Sequence, residues 1–468
     1  MSIWLLITAI GAACSHVPAS TPVGPTEPIE SKVALLTFDT VWSVVRNTYV
    51  DSGFVASKWS SVRDSLRPRA ALVTDRKGLT DLLDATLKHI PDSHFYIIPE
   101  GAAETAEAPD PSEAGGSTGM SVRSIADDAV VWTVDAGSPA AIAGITPGAM
   151  VSRIADRDLS SALRQVRALP EAARPRALSE LLYSINRALS PATGKTVTLQ
   201  IVKGGRKVGY NVVAVPATGT VSQFGHLPPI AGRVVVQRLS GKESNPGVSC
   251  VGVIAFNIWL PALVPALERA IDTIRDCAGV VIDLRGNPGG VGAMVMGFGG
   301  YFVDSAISLG TMRSRDLSLR FAMNPRRVTT DGSPAAPFDG PLAIIVDAMT
   351  ASTSEIFAAG MQRIGRARVF GERSAGEALP AVMDRLPSGD VFVHAVADFI
   401  DPTGKRIEGA GVVPDETISL SGKALAEGRD TALEAATRWI RSKPASQHLP
   451  ASAPGSFHPQ LQLTPREQ

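Results

Sequence analysis

The sequence predicts an α/β protein assembled from a helical unit, a β-rich unit and a larger layered unit, and three observations carry that reading. Over 217–440, apolar strand-like runs at 251–256 ("VGVIAF"), 279–284 ("GVVIDL"), 342–347 ("LAIIVD"), 367–370 and 391–400 alternate with helical stretches. That alternation predicts a layered core around a largely parallel sheet. Over 31–100 apolar residues recur at helical spacing, and over 118–216 short β-type runs are separated by turns. A chain of 468 residues has room for two or three such cores. Lys and Arg number 45, as do Asp and Glu, giving a formal net charge of +0. With no basic stripe to neutralise phosphates, no nucleic-acid partner is implied.

Taken in order, residues 1–14 ("MSIWLLITAIGAAC") form a short apolar run ending in small residues before Cys14. This is the layout of an export signal, too short to span a bilayer, and it resembles a bacterial lipoprotein site with Cys14 as the lipidated residue. The expected location is the periplasm or the outer membrane, with a lipid on Cys14 as the sole membrane contact. Residues 15–30 are a proline-rich linker. In the helical unit, 31–100, Val33, Leu36, Val41, Val44 and Val45 share one periodic pattern, and Leu79, Leu82, Leu83, Leu87 and Ile90 share another. Residues 101–117 are a Gly/Pro/Ala/Glu-rich linker without period. The unit at 118–216 ends in a hairpin around residues 204–205. After the layered unit, 217–440, the Pro/Ser/Gln-rich tail 441–468 is expected to be disordered.

Cys250 and Cys277 each precede a buried strand, with a helical stretch from Pro261 to Arg275 between them. A strand–helix–strand unit makes the two strands parallel and brings both cysteines to one edge, so a disulfide is expected, against two buried thiols. There is no His/Cys cluster at ligand spacing and no phosphate-binding glycine loop with lysine, so neither metal nor cofactor is called for.

Two stretches carry candidate chemistry. "DAMTASTSEIFAAG" (347–360) sets Thr350, Ser352, Thr353 and Ser354 before an apolar helical run; Ser352 with Glu355 reads as a capping box or, alternatively, Ser352 is a nucleophile. "VVIDLRGNPGGVGAM" (280–294) runs from a buried strand into a loop that can expose successive N–H groups to an oxyanion, or is only a tight turn.

In this order and spacing, "DLRGNPGG" (283–290) followed by "TASTSEIFAAGMQRIGRARVFGE" (350–372) resembles the C-terminal-processing and tricorn-like serine peptidases. The resemblance implies a crotonase-like (ClpP/crotonase) α/β catalytic core. It assigns Ser352 as nucleophile, and an oxyanion hole formed by the N–H of Thr353 with that of Gly289 or Gly290. "SPAAIAGITPGAMVSRIADRDL" (138–159) resembles a PDZ domain inserted before that core, which implies capture of an extended polypeptide or gating of its access. The loop Ser117, Thr118, Gly119 and Met120 would hold a chain-end carboxylate.

One branch of the family pairs its serine with a lysine 25 positions later. Here that position is Glu377, to which no role is given, and "ERSAGEALP" holds no lysine. The tricorn-like branch takes its base from a Ser-His pair in the helical unit, matched by Ser93 and His94 in "HIPDSHFYIIP", and a distant glutamate, matched by Glu408 in "KRIEGAGVVPDETI". The relay implied is Ser352–His94–Ser93–Glu408, with His94 as general base. The function expected is exported serine peptidase activity on a polypeptide substrate. Two rivals are a catalytically idle peptide-binding protein on the same scaffold and a crotonase-type acyl-transfer enzyme.

Overall fold

Helix α1 (Ser31–Thr48) turns Ala34, Phe38, Val41 and Val45 into one buried stripe. Helices α2 (Ser60–Ala70) and α3 (Arg76–Leu87) pack beside it, and α3 begins where the Asp75 carboxylate accepts from the Gly78 N–H. These helices do not close a core by themselves. Phe38, Trp59, Leu83 and Phe95 share their apolar cluster with Leu379, Leu386, Phe392 and Ala395, some three hundred positions downstream. Strand β1 (Tyr96–Ile98) makes the junction, pairing antiparallel with residues 391–393.

In the computed structural model of the protein, residues 27–100, 115–203, 205–223, 225–226, 229–240 and 250–443 are described. Cys14 and the expected export segment, most of the 101–117 linker, Gly204 of the expected hairpin turn and the tail after 443 lie outside them. Among the described residues, no helix is long and apolar enough to cross a membrane.

The middle of the chain forms an antiparallel sheet in the order β2 (Met120–Ile125), β3 (Asp128–Val134), β4 (Met150–Ile154), β5 (Thr196–Lys203), β6 (Arg206–Val213). Helices α4 (Leu159–Arg167) and α5 (Arg174–Ala188) cover one face. Leu159, Leu163, Leu182 and Ile185 bury Val122, Val131, Val151 and Leu199 beneath them.

The large unit starts with β7 (Val234–Leu239), antiparallel to β8 (Val251–Phe256), and crosses through α6 (Val264–Ile274) to β9 (Gly279–Asp283), parallel to β8. After the hairpin β10 (Ile307–Arg313) and β11 (Ser318–Met323), strand β12 (Leu342–Val346) returns parallel to β9 and leads into α7 (Thr353–Arg363). Strand β13 (Arg368–Gly371) pairs parallel with β12. Next come β14 (Ala381–Arg385), β15 (Val391–Ala395) and β16 (Asp398–Ile400), then β17 (Glu416–Thr417) beside β13, and α8 (Thr431–Arg441). The six-stranded order is β7-β8-β9-β12-β13-β17.

Strands β9 and β12 are unbroken apolar runs because both faces are covered. Ile282 and Ile344 meet Leu267, Ile271 and Phe357 on one side, while Val281 and Ile345 meet Ala432, Ala436 and Ile440 on the other. The run expected as a single strand at 391–400 is two strands in two sheets. β15 joins β1 and β14, and after Val396 and Ala397 β16 joins β10. A disulfide links Cys250 to Cys277, with Cα atoms 4.7 Å apart.

Candidate active site

The turn from β12 into α7 brings the four hydroxyls of the 347–360 stretch together and separates their uses. Thr350 Oγ1 donates to the Leu284 carbonyl at 2.9 Å, and Thr353 Oγ1 donates to the Gly290 carbonyl at 2.8 Å. Ser354 Oγ accepts from the Trp259 indole at 2.9 Å. These three hydroxyls bind the turn to neighbouring segments. Ser352 stands apart in its backbone, at φ 54 and ψ −121, where a capping residue normally takes an extended conformation. A non-glycine residue held there on a strand-to-helix turn is strained, and such strain gathers at functional sites.

Glu355 holds this turn from below. Its buried carboxylate accepts from the Ser352 N–H at 3.0 Å, the Glu377 N–H at 2.9 Å, the Gly376 N–H at 2.7 Å and the Ser374 hydroxyl at 2.5 Å. Burial pushes Glu355 up to about 7 against the pull of those four donors. It does more than cap α7: it fastens the segment 374–377 to Ser352. The S-x-x-E spacing is the sequence signal for it.

The second candidate loop packs directly on the first. Asn287 holds it by donating to the Phe256 carbonyl at 2.9 Å, and its own carbonyl accepts from the Ala351 N–H at 3.1 Å. A Cβ on Gly289 would lie 2.7 Å from Ser352 Cβ and 2.9 Å from the Thr353 nitrogen, so only glycine permits this approach. The Gly289 N–H donates to Asn287 Oδ1 at 3.0 Å. For the N–H groups of Gly290 and Thr353 no acceptor is found among the described residues.

His94 lies in the turn just before β1, which pairs with β15, and that turn is clamped from several sides. The Asp92 carboxylate accepts from Tyr49 Oη at 2.7 Å and from Arg406 Nη2 at 2.6 Å. The Arg176 guanidinium, on α5, donates to the Asp92 carbonyl at 2.8 Å. The Glu408 carboxylate accepts from the Ser93 N–H at 2.7 Å and from Ser93 Oγ at 3.0 Å, while Ser93 Oγ lies 2.7 Å from His94 Nδ1.

The Ser93 hydroxyl has one proton. Because it donates that proton to Glu408, it must accept from Nδ1–H, which places the imidazole lone pair on Nε2. Burial and then the Arg176 charge lower His94 to about 4, so the ring is neutral at ordinary pH. Burial raises Glu408, opposed by the donors Ser93 N–H, Ala378 N–H and Ser93 Oγ.

One peptide group connects the serine to this chain of bonds. The Glu377 carbonyl accepts from the Ser352 N–H at 2.7 Å, and the Ala378 N–H donates to Glu408 Oε2 at 2.7 Å. The two atoms belong to one planar unit, so the Ser352 nitrogen and Glu408 Oε2 are no more than about 8 Å apart. No hydrogen bond between Ser352 and His94 is found among the described residues. Burial raises the Glu377 carboxyl to about 8, helped by Glu355, Glu180 and Glu408 and opposed by Arg176. Among the described residues its Oε1 is buried without a hydrogen-bond partner.

A cleft of about 840 Å³ opens beside these loops, lined by Gly286, Pro288 and Met349 together with Tyr96–Pro99, Tyr183 and Asn186. The loop expected to hold a chain end is differently arranged. The Thr118 N–H donates to the Leu189 carbonyl at 3.2 Å and the Gly119 N–H to Ser117 Oγ at 2.9 Å. Next to it, the Asn186 carboxamide accepts from the Val122 N–H at 2.9 Å and donates to the Val122 carbonyl at 3.0 Å, closing the outer edge of β2.

Residues 251–418 match the model described as peptidase family S41. A carboxyl-terminal-processing protease of Synechocystis sp. is 24% identical over 424 residues, 88% of this chain and 88% of the relative. A chloroplastic carboxyl-terminal-processing peptidase 2 of Arabidopsis thaliana is 24% identical over 89% of this chain and 73% of its own. The fold matches that of a photosystem II D1 C-terminal processing protease at a TM-score of 0.56 and 19% identity, over 88% of this chain and 98% of the other. It matches mature CPAF at 0.58 and 13%, over 88% and 97%. Over residues 251–418 the chain matches peptidase family S41, and over most of its length it is similar to the C-terminal processing proteases; it is a serine peptidase.

Proposed function

We propose that the protein cleaves polypeptide chains with Ser352 as nucleophile and His94 as general base. The single observation that carries this is the bonded series Glu408–Ser93–His94, tied to Ser352 through the peptide group between residues 377 and 378. Ser93 fixes the tautomer that leaves Nε2 able to take the Ser352 proton as Oγ attacks the scissile carbonyl. Glu408 anchors Ser93 and offsets the charge that forms on the ring. The Thr353 N–H, with that of Gly290 or Gly289, receives the oxyanion; of the two glycines it is Gly290 whose N–H has no acceptor among the described residues. Return of the proton from His94 to the leaving amine forms the acyl-enzyme, and water clears it.

The 118–216 unit is read as a PDZ domain that gates the cleft rather than as one standing open to a chain end, because its loop donors and the β2 edge are already engaged. Export and lipidation at Cys14 complete the proposal. They are tested by labelling cells with a radioactive fatty acid: wild type should incorporate it and Cys14→Ser should not. The catalytic assignment is tested with a fluorophosphonate probe and casein. Wild type should be labelled and should cut casein; Ser352→Ala should do neither, and His94→Ala should lose at least about 10²-fold in turnover. Unchanged turnover in His94→Ala would remove the histidine from its role.

A further inference from the structure

Among the described residues strand β1 has one partner. In its sheet, ordered β1-β15-β14, it stands at the end, paired through Tyr96↔Val393, Ile97↔Phe392 and Ile98↔Val391. Among the described residues nothing pairs with its other edge, and no side chain closes it in the way that Asn186 closes β2. Proteins usually blunt such edges with charge, proline or a covering segment. The strand itself, "YII", carries neither charge nor proline, and Tyr96 is 44% exposed.

This edge also has a position that an arbitrary edge lacks. It begins two residues after His94 and lines the same cleft as Gly286, Pro288 and Met349, which belong to the loops that carry Gly289 and Ser352. Here we propose that β1 is the docking strand for substrate: an extended polypeptide adds to its outer edge and runs through the cleft past Ser352. The proposal rests on the peptidase reading above and specifies how the substrate is held.

A strand added to β1 lies about 4.8 Å from it, which keeps a scissile bond alongside the turn that carries the base. Recognition then falls on backbone N–H and C=O groups, so the class of ligand is any unfolded or extended segment rather than one side-chain type. At about 3.3 Å per residue, three residues of β1 grip about three residues of substrate. Side chains of the added strand alternate, one set directed to the Tyr96 and Ile98 face and the other to the Ile97 face, which packs on the helical core.

The test is an N-methyl scan of a synthetic peptide that spans a bond the protein cuts in casein. In strand addition only alternate N–H groups face the docking edge. Methylation at one parity should therefore lower kcat/KM about fivefold to tenfold, the loss of one ordinary hydrogen bond, with intervening positions near the unmethylated value. Equal losses at adjacent positions, or no losses, would overturn the proposal. Proline at Tyr96 and at Ile97, one variant each, locates the edge: one of the two should keep fluorophosphonate labelling yet lose both peptide turnover and the alternating response. An alternating response that survives unchanged in a labelled Tyr96→Pro and a labelled Ile97→Pro protein would assign docking to another edge and end the proposal. If either variant fails to take the probe, the scan on wild type alone decides. A wild type that neither takes the probe nor cuts casein fails the catalytic reading itself, a result distinct from a scan that does not alternate.

Discussion

Two glycine-bearing loops in this molecule invite the same reading and turn out differently. Residues 286–290 and residues 117–120 each contain glycine at positive φ, each adjoins the end of a sheet strand, and each could cradle an anion. In the first, Thr350, Asn287 and Thr353 bind the framework through side chains and carbonyls, and the N–H groups of Gly290 and Thr353 have no acceptor among the described residues. In the second, the C-terminal end of α5 already supplies the acceptor, because Leu189 takes the Thr118 N–H. Glycine provides access for a backbone donor; whether an anion can use it depends on what the donor already holds.

Paired substitutions test that contrast most strongly. Gly289→Ala puts a methyl group 2.7 Å from Ser352 Cβ and 2.9 Å from the Thr353 nitrogen, and kcat on casein should fall about 10²–10³-fold because the nucleophile and the Thr353 N–H are pushed out of line. Gly119→Ala would place its Cβ 2.1 Å from Ser138 Cβ; it should lower the melting temperature while leaving fluorophosphonate labelling of Ser352 in place. Equal loss of labelling in both would erase the distinction.

Glu408→Gln should lower kcat by about 10²-fold, since the amide presents donors where Ser93 N–H and Ala378 N–H already donate. The measurement is steady-state hydrolysis, with circular dichroism to show that the fold survives.

The pH profile supplies a smaller effect. With His94 near 4, the imidazole is neutral above that value, so kcat/KM should hold from neutrality down to about pH 4 and fall below it. An acid limb near the usual imidazole value would contradict the burial of the ring. Arg176→Gln removes a cation that disfavours the imidazolium and should move the limb to higher pH. Stability follows the same sign. Between about 4 and the ordinary imidazole value of 6.5 the unfolded chain binds the extra proton, so the contribution of His94 to stability declines as pH falls through that window.

The least effect is expected for Asn186→Ala. Releasing the Val122 N–H and carbonyl should tighten binding of a peptide with a free carboxyl terminus about fivefold, read by fluorescence polarisation. No change would mean that the β2 edge is closed by more than this side chain.

Much of the layout can be read from residues alone. The buried strands β8, β9 and β12 announce themselves as apolar runs because helices cover both faces. Strand β7, "VVVQRL", does not, since it lies at the sheet margin with alternating exposure. Ser93, His94 and Glu408 are visible as motifs, and the coordinates put hydrogen bonds among them. The peptide group that ties them to Ser352 is invisible in a sequence, because a carbonyl and an N–H are present at nearly every position. Glu377 shows the same limit. Its side chain breaks the lysine pattern, whereas its backbone carbonyl, common to any residue, bonds to Ser352.

The apolar cluster shared by Phe38, Trp59 and Leu83 with Leu379, Phe392 and Ala395 has a consequence for biogenesis. A growing chain cannot complete the packing around its first helices until more than three-quarters of it has emerged, so the imidazole near residue 94 has no fixed seat before then. A truncation that ends before β15 should therefore yield an inert polypeptide even though it retains the serine.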